Sequence, residues 1–237
     1  MIKLVVIPAR FGSTRLPGKP LRTIRGKPLI QWVYEKARSS SADRILIATD
    51  DTRIRDACLA FGAEAVMTSP ALASGTDRVH EAISGIDGDL IVNVQGDEPF
   101  IEPSMIDILF SRLEAERLDM ATLCTPVTAR DAANPNLVKV VLDRTGFALY
   151  FSRSPIPFPR GERRVPIYGH IGIYGFSRAF LARFVAMERG ALEETESLEQ
   201  LRVLEHGSKI RVIPVEYRGF GIDTEEDLVR AEKEIGL

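Results

Sequence analysis

The sequence predicts an α/β chain built on a doubly wound, mostly parallel sheet. Two observations carry that prediction. Apolar runs of strand length recur at 2–7, 44–48, 65–67, 90–94 and 120–124, separated by helix-period segments at 28–38, 52–61, 76–84 and 104–116. The runs are apolar throughout rather than alternating, as strands covered by helices on both faces are.

Each element has its own signals. The first strand, 2–7, leads directly into a loop at 8–20. Pro28 suits the first turn of the next helix, and Gly62 suits the stop of the one after it. Trp32, Val33 and Phe61 read as core residues on helix faces. Beyond about residue 126 the pattern changes. Strand-like runs at 137–142, 147–151 and 168–176 follow one another without long helices between them. Pro155, Pro157, Pro159 and Pro166 bracket a polar loop that holds Gly161, Arg163 and Arg164. This predicts a smaller antiparallel lobe with an extended arm, then the last helices and a strand at 209–215. The expected organisation is a single domain over 1–237, with a nucleotide-binding half to about 126, a second lobe over 127–220, and a terminal turn and helix over 221–237.

Composition narrows the function classes. A chain of 237 residues that is 45% hydrophobic can bury a sizeable core. The formal net charge of −2 gives no basic field for nucleic acid. Cys58 and Cys124 stand apart and read as small core residues rather than a disulfide or metal pair. No apolar run approaches the roughly 20 residues that span a bilayer. The sequence starts on strand-like residues without a leader pattern. The expectation is a cytoplasmic protein with no membrane insertion.

The loop Pro8-Ala9-Arg10-Phe11-Gly12-Ser13-Thr14-Arg15-Leu16-Pro17-Gly18-Lys19-Pro20 carries the most chemistry. It places three cations, Arg10, Arg15 and Lys19, at the end of a strand, where open α/β sheets bind ligands. Its glycines allow close backbone approach, and amide N–H groups can converge on an anion. Point charges together with many donors suit a polyphosphate. A Walker A loop is excluded, because five residues separate Gly12 from Gly18 and Pro20 stands where a metal-binding hydroxyl belongs. The dinucleotide fingerprint is also absent.

Two carboxylates are candidates for a hard metal ion. Asp97 lies on the turn Gln95-Gly96-Asp97-Glu98-Pro99 after the strand at 90–94. Asp223 precedes Thr224-x-x-Asp227, which resembles a capping box. Asp223 therefore reads either as a helix cap or as a metal ligand, and the two roles are compatible. Magnesium takes one or two carboxylates and completes its shell with phosphate and water. At Ser74-Gly75-Thr76-Asp77-Arg78, small polar residues and a planar donor fork suit a base edge, and an ordinary helix cap with a surface arginine is the alternative. The second lobe carries Arg153, His170, Tyr174, Glu199 and Gln200, a donor and acceptor mix suited to a polyhydroxylated ligand. His170 and Tyr174 would share a strand face.

In order along the chain, the 8–21 loop, Ala48-Thr-Asp50, Ser74–Arg78, Val92-Asn-Val-Gln-Gly-Asp-Glu-Pro99, Val138-Lys-Val-Val-Leu-Asp143, Ala148-Leu-Tyr-Phe-Ser-Arg153, His170-Ile-Gly-Ile-Tyr174, Leu198-Glu-Gln-Leu-Arg202 and Gly221-Ile-Asp-Thr-Glu-Glu-Asp-Leu228 resemble the 3-deoxy-manno-octulosonate (Kdo) cytidylyltransferase family. The resemblance implies a nucleotide-diphospho-sugar transferase-like fold and the transfer of CMP from CTP to Kdo. It implies that Pro8, Ala9, Arg10, Ser13, Arg15, Lys19, Ser74, Gly75 and Arg78 bind nucleotide, with Arg15, Lys19 and Asp97 catalytic. Asp97 and Asp223 would hold Mg²⁺, and Gln95, Arg153, His170, Tyr174, Glu199 and Gln200 would bind the sugar acid. A homodimer with the arm in its interface is also implied. The rivals are a cytidylyltransferase for an amino-Kdo or a sialic acid, and a non-catalytic nucleotide-binding protein on the same fold.

Overall fold

The computed structural model describes residues 1–12, 15–162 and 164–235. The chain forms two units, one made of residues 1–110 with the stretch from Arg218 onward, the other of Ser111–Tyr217. Arg163, expected in the polar arm, lies outside the described residues, as do Ser13 and Thr14 of the cationic loop.

In the first unit, β1 (Lys3–Ala9) is the central strand. It pairs in parallel with β4 (Arg44–Thr49) on one side and β6 (Leu90–Val94) on the other, and β5 (Glu64–Met67) extends the sheet beyond β4. Leu4, Val5, Val6 and Ile7 are wholly buried, which explains why the run is apolar on both faces. A short ribbon of β2 (Thr23–Ile24) and β3 (Lys27–Pro28) follows the loop. Pro28 pairs within that ribbon and stands just outside α1 (Leu29–Arg38) as its N-cap, rather than in its first turn as expected. Asp51 caps α2 (Thr52–Ala60), and Gly62, at φ 79°, takes the left-handed conformation that ends it. Ser74 and Asp77 form a capping box on α3 (Gly75–Ala82).

The last helix belongs to this unit. Thr224 and Asp227 form the expected capping box at the start of α9 (Glu225–Glu234). Leu228 and Ala231 of α9 pack with Ile222, Leu16, Ile24 and Leu29, and Trp32 lies against the same cluster. The Trp32 indole N–H donates to the Ile24 carbonyl at 3.1 Å. Burial of this apolar set fixes the C-terminal segment beside the base of the cationic loop.

Helix α4 (Pro103–Glu116) carries the chain into the second unit. There β7 (Met120–Val127) pairs in parallel with β11 (Arg211–Pro214) and antiparallel with β10 (Ile167–Ser177). β8 (Lys139–Leu142) joins β10 to β9 (Ala148–Ser152), all antiparallel. Short helices α5 (Ala129–Ala132), α6 (Arg178–Val185), α7 (Ala191–Glu196) and α8 (Leu201–Glu205) complete the unit. The strand runs after residue 126 thus form the antiparallel lobe that the sequence predicts. Its sheet also takes in β7, whose hydrogen-bonding partners here, β10 and β11, both lie in the second unit. The register of β10 on β7 shifts between Ile171 and Tyr174, a bulge with consequences for the residues described below.

Gly96 has no room for a side chain. A Cβ there would lie 2.8 Å from the Pro8 carbonyl oxygen, which is backbone and cannot swing aside. Only glycine lets the turn after β6 approach the end of β1 this closely. Gly96→Ala should lower stability by about 1–3 kcal/mol, because the turn after β6 must back away from the end of β1. Denaturant unfolding beside wild type will check this; an unchanged midpoint would mean that the close approach is dispensable.

Candidate active site

Beyond the carboxyl ends of β1 and β6 the first unit holds a pocket of about 320 Å³. Pro8, Ala9, Arg10, Arg15 and Lys19 line it from the loop, Ser74, Gly75 and Arg78 from the start of α3, and Gln95, Gly96 and Asp97 from the turn after β6. Asp223 completes the wall. The described residues expected to bind nucleotide therefore share one cavity, together with both proposed metal ligands and Gln95. Ser13, expected in the same set, lies outside the described residues.

The loop is shaped at its neck. Gly18, at φ 65°, precedes a 3₁₀ turn over Lys19–Leu21, and its N–H donates to the Phe11 carbonyl at 3.2 Å. A Cβ on Gly18 would stand 3.2 Å from the Phe11 ring, and the Arg53 guanidinium covers that ring at 3.4 Å from its centroid. This neck aims Lys19 inward, where it is largely buried.

The Lys19 ammonium is shared by two carboxylates. Nζ lies 2.5 Å from Asp97 Oδ2 and 3.0 Å from Asp223 Oδ1, and Arg15 reaches the other Asp223 oxygen at 3.0 Å. Burial opposes the charge on Lys19. The attraction and hydrogen bonds of Asp97, then of Asp223, outweigh that penalty and hold its pKa above the ordinary lysine value. Asp223 is not the cap of α9, because Thr224 takes that role, so its carboxylate is free to face the loop. Two acids far apart in sequence thus address a single cation. Among the described residues no three His, Cys, Asp or Glu side chains gather to hold a metal by themselves. The pair fits a hard ion that brings phosphate oxygens as its remaining ligands.

Arg78 is placed differently from a free donor fork. Its side chain is 4% exposed, with Nη2 donating to Asp50 Oδ2 at 2.9 Å and Nη1 to Thr68 Oγ1 at 2.5 Å. Gln95 donates to Asn93 Oδ1 at 3.2 Å, and Asn93 Nδ2 is buried with no hydrogen-bond partner among the described residues.

In the second unit, His170 and Tyr174 lie together with the Glu199 charge acting on Tyr174, while Arg153 is engaged elsewhere. The His170 and Tyr174 rings are 5.3 Å apart, and Phe151 meets His170 edge-on at 5.1 Å. The Thr122 hydroxyl bridges the bulge in β10. It donates to the Ile173 carbonyl at 2.7 Å and so accepts from His170 Nε2 at 2.8 Å, which puts the imidazole proton on Nε2. Burial pushes the Tyr174 phenol up, and the charge of Glu199 adds to that. The Gln200 amide nitrogen is buried and has no hydrogen-bond partner among the described residues. The Arg153 guanidinium donates to the carbonyls of Glu196, Pro135 and Ser197 at 2.8, 3.1 and 3.3 Å. Lys139 is fully buried in β8 and caps the carbonyls of Leu137, Asn134 and Arg153.

Sequence reading assigns no role to Asp50, Asn93 or Thr122. Asn93 had a usable signal, an amide in the middle of an otherwise apolar strand. A threonine is ordinary in a strand, so Thr122 had none.

A parallel α/β unit that sets a cationic loop and a carboxylate pair at its strand ends is built as a nucleotidyltransferase. The profile of the cytidylyltransferase family matches residues 4–210, and the chain belongs to that family. A 3-deoxy-manno-octulosonate cytidylyltransferase of Thermodesulfovibrio yellowstonii is 48% identical, over 98% of each chain. An 8-amino-3,8-dideoxy-manno-octulosonate cytidylyltransferase of Shewanella sp. (strain ANA-3) is 45% identical, again over 98% of each. The solved structure of a CMP:2-keto-3-deoxy-manno-octonic acid synthetase complexed with CTP superposes with a TM-score of 0.96 at 42% identity, covering 100% of this chain and 99% of the other.

Desolvation pushes the His170 imidazole down from 6.5 to about 3, so it is neutral in the folded protein near neutral pH. Below about 6.5 the unfolded chain takes up a proton that the folded imidazole refuses, so stability falls as pH falls through that window. His170→Gln should lose less stability between pH 6.5 and about 3, by the slope of one proton, in denaturant titrations across pH. Identical slopes would show that the imidazole titrates normally.

Proposed function

We propose that this chain transfers CMP from CTP to the anomeric hydroxyl of 3-deoxy-D-manno-octulosonate, giving CMP-Kdo and pyrophosphate for lipopolysaccharide precursor synthesis. One observation carries the reading: Asp97 and Asp223 converge on a single cation in the same pocket as the phosphate-type loop and the Ser74–Arg78 corner.

The anomeric oxygen forms a bond to the α-phosphorus, the bond to pyrophosphate breaks, and the hydroxyl proton is lost. Nucleophile and electrophile are both anionic. Two unit charges about 4 Å apart repel by roughly 4 kcal/mol at an effective dielectric near 20, or about three decades in rate. Positioning and charge neutralisation therefore carry the catalysis. Arg10, Arg15 and Lys19 bind the phosphates, and Arg15 and Lys19 stabilise the departing pyrophosphate. Ser74, Gly75 and Arg78 face the cytosine. Asp97 and Asp223 would hold Mg²⁺, which when bound supplies neutralisation at the α-phosphate. Their convergence on the Lys19 ammonium supports this assignment, since the same oxygens already accommodate one cation.

His170, Tyr174, Glu199 and Gln200 of the second unit bind the sugar acid. The unpartnered Gln200 amide supports that role, because a buried donor without an acceptor gains one when a polyol binds. Arg153 acts on this group through the backbone turn at Glu196–Ser197 that precedes Glu199. Leu149, Phe158 and Val165 of the second unit are 62%, 82% and 54% exposed, which supports a homodimer that covers them. No helix among the described residues is long and apolar enough to cross a membrane, and CTP as substrate fits a cytoplasmic location.

Pyrophosphate release should be faster, as kcat/KM, with 3-deoxy-manno-octulosonate than with its 8-amino analogue or a sialic acid. A preference for either competitor, or no turnover with any acid, would overturn the assignment. Asp97→Asn at saturating Mg²⁺ should lower kcat on the order of 10²-fold in folded protein; near-wild-type turnover would remove Asp97 from the reaction. Sedimentation equilibrium should give twice the 26.3 kDa chain mass, and a monomer mass for Phe158→Glu; a monomeric wild type would refute the dimer.

A further inference from the structure

We infer that Asp50 is a positioning residue that sets nucleobase discrimination by fixing the Arg78 guanidinium in the pocket wall; the inference rests on the cytidylyltransferase reading above. Asp50 immediately follows β4, at the carboxyl end of a strand that pairs with β1 up to Ala9 and Thr49. Its two oxygens take different partners, one the pocket-lining Arg78 and the other the backbone of the cationic loop. Oδ2 accepts from Arg78 Nη2 at 2.9 Å, and Oδ1 accepts the Phe11 N–H, at the neck of the cationic loop, at 3.4 Å. The pair is secluded, with side chains 4% and 16% exposed.

The other side of the guanidinium is fixed as well. Nη1 donates to Thr68 Oγ1 at 2.5 Å and to the Ser69 carbonyl at 3.4 Å, and the Thr68 hydroxyl donates in turn to the Thr49 carbonyl at 3.0 Å. A guanidinium has five N–H groups, so this bracing leaves Nε–H and one Nη2–H for a ligand. Asp50 neutralises the buried charge, which turns Arg78 from a general anion attractor into a directional donor pair. Directional donors suit the cytosine ring, whose O2 and N3 are both acceptors. Uracil carries an N–H at the same ring position, which would face another donor. A site built from oriented donors rejects the ring with the wrong pattern far better than a loose cation does.

The neighbouring acid cannot substitute. Asp51 caps α2 by accepting the Arg53 N–H at 2.9 Å and pairs with the Arg53 guanidinium at 2.6 Å.

The test compares CTP with UTP for wild type, Asp50→Asn and Thr68→Val, using kcat/KM from pyrophosphate release and Kd from calorimetry, with a thermal melt for each protein. Asp50→Asn keeps the acceptor for the Phe11 N–H but removes the charge and the guanidinium's acceptor geometry. The CTP/UTP ratio should fall by about tenfold or more, with the KM for the sugar acid within about twofold of wild type. Thr68→Val loosens the opposite side of the same guanidinium and should move the ratio in the same direction. A ratio within twofold of wild type in folded Asp50→Asn would overturn the inference, as would equal loss for both nucleotides. Failure of the wild type to consume CTP with a sugar acid would instead overturn the functional reading, so the two failures are separable.

Discussion

The Lys19 ammonium holds the active pocket together. It sits between Asp97, on the turn after a central strand, and Asp223, just before the last helix, and it is itself carried by the loop after the first strand. Three distant parts of the chain thus share one largely buried charge. Mutual attraction keeps that charge in place against the desolvation that would otherwise remove it. The same arrangement stores two carboxylates side by side, a placement that would be repulsive without a cation between them.

Apolar and backbone contacts make the meeting possible. The Ile222 N–H donates to the Asp97 carbonyl at 2.9 Å, and the Ile222 side chain is buried with Leu16, Leu29 and Leu228. The residue next to Asp223 is therefore anchored both to the Asp97 turn and to the hydrophobic cluster under the loop. Gly96 lets that turn approach the Pro8 carbonyl, and the Phe11, Gly18 and Arg53 neck turns the loop back on itself. The electrostatic group is a product of packing, and the charged residues alone would not assemble it.

Much of this was readable in the sequence, for physical reasons. Parallel strands buried on both faces are continuous apolar runs, so β1, β4 and β6 stood out, and the capping box before α9 has its own four-residue signature. Cations and glycines after the first strand marked the loop that lines the pocket. Side-chain engagement was less readable. Whether Asp223 caps a helix or faces a cation depends on one residue of offset, and Thr224 proved to be the cap. Arg78 read as a donor fork for a ligand, yet partners from two other segments, Asp50 and Thr68–Ser69, claim much of it. Arg153 caps backbone carbonyls that no local pattern announces. The bulge that seats Thr122 against His170 is likewise a tertiary feature, set by how β10 pairs with β7.

A double-mutant cycle on the ligand-free protein tests the shared cation most directly. Lys19→Met, Asp97→Asn and the double variant would be compared with wild type by denaturant unfolding at neutral pH. The stability lost by the double variant should fall short of the summed single losses by about 1 kcal/mol or more. Strict additivity would show that the ammonium and the carboxylate do not hold one another, and the account of the site would fail with it.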